Sequence, residues 1–64
     1  MEKGTTFTSK NETWKIDHIM TDRGFILAKG WTHTAAVTRP RGKKLYWANL
    51  VIEDGKILHS AIIG

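Results

Sequence analysis

Asp54-Gly55 stands between two apolar, β-prone runs, residues 45–53 and 57–63. A two-residue Asp-Gly connection in that setting favours a type I′ hairpin, because both central positions need a positive φ. Strand side chains alternate faces, so a two-residue loop also fixes the register. On that register Ile52 faces Ile57, Leu50 faces His59, Ala48 faces Ala61 and Tyr46 faces Ile63. The other face carries Val51 with Leu58, Asn49 with Ser60 and Trp47 with Ile62, while Glu53 and Lys56 close the turn as an opposite-charge pair. Both faces are rich in apolar groups, whereas a sheet with one wet side alternates more cleanly. The hairpin therefore belongs inside a closed small barrel or under another chain.

Upstream, strand signals recur and helix signals are nearly absent. Thr5 to Thr8 is β-prone and stops at the polar turn Ser9-Lys10-Asn11-Glu12. Trp14, Ile16, His18 and Met20 then alternate with Lys15, Asp17 and Ile19, the two-residue period of a half-buried strand. Thr21-Asp22-Arg23-Gly24 reads as a short reversal, Phe25 to Ala28 as another strand running out at Gly30-Trp31, and residues 32–38 as a threonine-rich strand. Pro40 and Gly42 mark an exposed loop. Antiparallel strands are expected near 13–20, 24–31, 33–38, 44–53 and 56–63. The fold class is all-β, a five- to six-stranded meander that resembles the small SH3-like or OB-like barrels. That resemblance is architectural, and such folds host many functions.

At 64 residues the chain is read as one small β domain, 1–64. A domain of this size buries only about 60% of its unfolded surface, so its stability is narrow. It contains no cysteine, which fits a reducing, cytoplasmic setting rather than a disulfide-stapled secreted one. Residues 1–6 hold no apolar stretch of signal-peptide length, and no run approaches a bilayer span, so neither targeting nor membrane insertion is expected.

Charge is the most informative feature for function. The net charge is +4, yet residues 23–52 contain Arg23, Lys29, Arg39, Arg41, Lys43 and Lys44 and no acidic residue. Four of these cations lie in Arg39-Pro40-Arg41-Gly42-Lys43-Lys44, with Trp31, Tyr46 and Trp47 nearby in sequence. Basic groups on a loop beside aromatics can hold phosphates and stack on bases. Arg39-Pro40-Arg41-Gly42 matches the approach to an AT-hook core, but Lys43-Lys44 replaces its second Arg-Pro, so the defining half is missing. Nucleic-acid binding, DNA or RNA, through Arg39, Arg41, Lys43, Lys44, Lys29, Arg23 and Trp31 is the leading expectation.

A second expectation is docking on another protein, as an inhibitor or adaptor of the phage or mobile-element accessory type, or as a subunit of an assembly. Trp47, Val51, Leu58 and Ile62 would form that surface, which a homodimer could also cover. An enzyme is not expected. Ser9 and Ser60 lie in no nucleophile motif, and no two carboxylates suggest a cleft. His18, His33 and His59 lack paired-ligand spacing, so no metal and no cofactor is expected.

Overall fold

The computed structural model describes residues 3–20 and 29–64. Five strands form one antiparallel sheet: β1 (Thr6–Ser9), β2 (Glu12–Met20), β3 (His33–Thr38), β4 (Tyr46–Glu53) and β5 (Lys56–Ile62). Each strand pairs with its neighbour in the chain, and the sheet curls until β1 approaches β5, giving a nearly closed, barrel-like meander. The described residues contain no helix, and so none that could cross a membrane. Most of the expected strand at 24–31 lies outside the described residues. Its last members, Lys29, Gly30 and Trp31, form a turn and irregular backbone, with Gly30 at a φ of 99°.

Both tight hairpins follow from turn chemistry. Asp54 and Gly55 take φ values of 51° and 74°, the paired positive values of a type I′ turn. Lys10 and Asn11 take 52° and 64° at the β1–β2 turn, the same geometry built without glycine.

The core fills the inside of the curl. Phe7, Trp14, Ile16, Ala35, Val37, Ala48 and Leu50 are buried, and Ile19, Tyr46, Ile52, Ile57 and Ile62 pack against them. Burial of a side chain such as Ile16, Val37 or Leu50 stabilises by about 1.5–3 kcal/mol. Trp14 and Tyr46 meet edge to face at 5.1 Å, a geometry that adds roughly 0.5–1.5 kcal/mol. Thr32, just before β3, ties that end to β4. Its hydroxyl donates to the Leu50 carbonyl at 3.2 Å and accepts from the Ile52 amide at 2.9 Å.

Two β-bulges overturn parts of the simple alternation. In β2, Ile16 pairs with Val37 but His18 pairs with Ala36, so Asp17 is the extra residue. Ile19 thus turns toward the core while His18 is exposed. In β5 the expected pairs Glu53–Lys56 and Ile52–Ile57 form, but Val51 then pairs with His59, leaving Leu58 as the extra residue. Beyond it Leu50 pairs with Ser60, Asn49 with Ala61 and Ala48 with Ile62, one step from the uninterrupted register. The surface expected from Trp47, Val51, Leu58 and Ile62 is therefore divided. Ile62 packs on the core, Leu58 protrudes, and Ile63 takes the place beside Trp47, to which its amide donates at 2.8 Å.

Candidate nucleic-acid interface

An antiparallel meander places alternate connections at the same end. The β1–β2 turn and the β3–β4 loop thus share one end of the barrel, where Lys10 and Arg39 border the same hollow. The loop opens with a tight turn in which the Gly42 amide donates to the Arg39 carbonyl at 2.9 Å. Pro40 occupies the second position, where its fixed φ suits the turn, and Gly42 the fourth. A Cβ on Gly42 would sit 3.4 Å from that of Arg39.

The cations of this end are not equivalent. Arg39 faces inward along the surface: it pairs with Glu12, its Cζ lies 4.8 Å from the centre of the Trp14 ring, and Tyr46 lies 5.8 Å away. The hydrogen bond with Glu12 holds the Arg39 guanidinium above its already high ordinary range. Arg39 and Glu12 therefore neutralise each other. Arg41, Lys43 and Lys44 are exposed and have no ion-pair partner among the described residues; Lys44 lies 5.1 Å from the centre of the Tyr46 ring.

Lys43 also faces Lys3 and Lys15 across a hollow of about 400 Å³ that includes Asp17, Thr38 and Leu45. Asp17 is engaged there by Lys3 at 3.9 Å and by His18 Nδ1, which donates to its Oδ2 at 2.7 Å. The His18 bond, first among its causes, holds the Asp17 carboxyl below its ordinary value. Sequence reading missed Lys3 and Lys15. The pairing of Lys15 with Thr38, next to the basic loop, is what brings Lys15 to the site.

No protein-family model, curated protein or solved structure matches this chain at a significant level.

Lys29 and Trp31 lie at the opposite end, where they share a hollow with Val51, His59 and Ser60. The fold thus does not bring them to the loop of residues 39–44. Arg23 lies outside the described residues. Trp47 is on the outward face near the start of β4, opposite Ala36, and is 40% exposed. Ala36 is only 1% exposed although it faces outward, because its neighbours across the sheet are His18 and Trp47. The described residues hold no group of three His, Cys, Asp or Glu side chains arranged for a metal ion.

Proposed function

We propose that this protein binds single-stranded nucleic acid along the basic end of its barrel. Arg41, Lys43, Lys44 and Lys15 contact phosphates, and Trp47 offers a ring to an unpaired base. The observation that carries the reading is the gathering of the β3–β4 loop cations with Lys15 of β2 at one end, where the nearby Glu12 is already neutralised by Arg39. A positive surface tracking a backbone beside an aromatic platform suits single strands, because every base has a face that can stack. Arg39, held by Glu12 and stacked over Trp14, has a structural part instead.

Fluorescence anisotropy with labelled DNA and RNA oligonucleotides, single- and double-stranded, at two salt concentrations tests this. The expected result is single-strand binding that weakens steeply with salt, since each neutralised phosphate adds roughly 0.7 to the slope of log affinity against log salt. The triple change Arg41→Ala, Lys43→Ala, Lys44→Ala should cost at least tenfold in affinity. Unchanged affinity in that variant removes the loop from the site, and no binding to any oligonucleotide removes the function.

The outward neighbours Trp47 and Ile63, 40% and 58% exposed, favour a second reading: docking on another protein. Binding that persists at high salt and is lost in Ile63→Glu would support it over the first.

A further inference from the structure

We propose that the gap between β1 and β5 is a docking cleft for an extended, acidic peptide segment of another protein, which joins the barrel as a sixth strand. Among the described residues β1 pairs only with β2, and β5 only with β4. Parts of the two strands already lie within 8 Å of each other, closer than the roughly 9–10 Å that an interposed strand needs, yet no strand pairing joins them among the described residues, so entry of the peptide must part the two edges. A hollow of about 670 Å³ runs between them, lined by residues 5–10 on one side and 55–61 on the other. That volume lies within the range of about 300–1,000 Å³ typical of ligand sites.

The walls of this cleft are strand edges. Ser9 and Glu12 flank a two-residue turn and exchange backbone hydrogen bonds, as do Phe7 and Trp14 two residues on. Thr6 and Thr8 must then direct their N–H and C=O groups away from β2. On β5 the Ile63 amide is bonded to Trp47 of β4, so the same alternation turns the backbone groups of Ile62 and Ser60 outward. Unpaired donors and acceptors alternating at strand spacing match an extended peptide. A nucleic-acid backbone supplies phosphate acceptors without the matching donors.

Charge selects the kind of peptide. The lining includes Lys10, Lys56 and His59 and no carboxylate; Glu53 stands opposite Lys56 on β4, outside the lining, but neither lysine is within ion-pair distance of a carboxylate among the described residues. Lys10 belongs to the β1–β2 turn and Lys56 opens β5, so they mark opposite ends of the cleft, roughly 20 Å apart by strand rise. The occupant thus carries acidic groups toward both ends of a six- or seven-residue stretch. Leu58, 51% exposed, offers an apolar contact at the rim.

The test uses the full chain, uniformly labelled with ¹⁵N, and two synthetic six-residue peptides with blocked ends: alternating Glu and Val, and alternating Lys and Val. Amide shifts at Thr6, Thr8, Ser60 and Ile62 should move with the Glu peptide and stay still with the Lys peptide. Thr8→Pro, which removes an outward donor and no β1–β2 hydrogen bond, should weaken the Glu peptide at least tenfold while oligonucleotide binding stays intact. Lys56→Glu should weaken it with an unchanged spectrum elsewhere, which keeps the test valid if Thr8→Pro fails to fold. Three results overturn the proposal: no shifts with the Glu peptide at millimolar concentration, shifts confined to Arg41, Lys43 and Lys44, or concentration-dependent shifts of the same edge amides without peptide, which would mean a second copy fills the cleft. Loss of oligonucleotide binding in the loop triple variant leaves this test untouched, so the two readings fail separately.

Discussion

The guanidinium of Arg39 lies over the ring of Trp14, 4.8 Å from its centre, while its charge is matched by Glu12. One side chain from the β3–β4 loop therefore lids the tryptophan that anchors β2 in the core. A cation over an aromatic face gains from the ring quadrupole, and a long side chain also covers apolar surface. Arg39→Ala should lower the thermal midpoint more than Arg41→Ala, Lys43→Ala or Lys44→Ala, each of which should stay within about 0.5 kcal/mol of the parent. Differential scanning fluorimetry of the four variants decides it. Equal midpoints across the set would show that the stacking contributes nothing.

Ile16 is buried to 1% exposure and pairs with Val37 directly before the β2 bulge. Ile16→Val removes one methylene there and should cost about 0.5–1.5 kcal/mol. For a domain this small that is a fall of several degrees, on the order of 4–8 °C per kcal/mol. Urea unfolding monitored by tryptophan fluorescence should show a lower midpoint with an unchanged slope. An unchanged midpoint would mean that the site relaxes around the loss.

Lys10 holds a φ of 52° at the first central position of the β1–β2 turn. Lysine gains nothing from that left-handed conformation, while asparagine tolerates it well. Lys10→Asn should raise the thermal midpoint. A drop in the thermal midpoint would contradict the turn geometry. The same change removes a cation from the peptide cleft, so affinity for the Glu peptide should fall as stability rises.

Asp17 gives a pH prediction. Its carboxyl is held below its ordinary value, first by the hydrogen bond from His18 and then by the charges of Lys3, His18 and Lys15, against some desolvation. A depressed carboxyl stabilises the fold above its unfolded-state value, and that contribution is lost as pH falls through the folded value. The window is therefore acidic, below about pH 4. In His18→Ala the Asp17 carboxyl should titrate closer to its ordinary value, as followed by carbon-detected NMR. Coincident titration curves for parent and variant would refute the His18 bond as the main cause.

The turns were legible because their signal is chemical and local. Asp54-Gly55 and Lys10-Asn11 each end a β-prone run, and residues 33–38 form the strand expected there. Strand phase beyond a bulge was not legible. An extra residue such as Asp17 or Leu58 has no signature of its own, yet it reverses the facing of every residue after it. Ile19 and Ile62 were therefore assigned to the wrong side. At the candidate site, the loop cations could be read directly from the run of like charge. Lys3 and Lys15 could not, because Lys15 reaches the loop only through its strand pairing with Thr38, and Lys3 only through the hollow it shares with Lys15 and Lys43. The division of labour between Arg39 and Arg41 was equally hidden, since it depends on Glu12 and Trp14, more than twenty residues upstream.

Every paired strand in this sheet is bonded to the strand that precedes or follows it in the chain. Assembly can then proceed by zipping successive hairpins, with no connection longer than the twelve residues between Met20 and His33, instead of waiting for distant segments to collide. The β4–β5 hairpin, with its two-residue Asp54-Gly55 turn, is the natural starting point, and among the described residues the meeting of β1 with β5 is the one event that spans the chain. Kinetically, a β-rich architecture of this order should refold near the fast limit for its class. Its rate should respond to turn substitutions at Asp54 and Gly55 far more than to changes along the β1 edge.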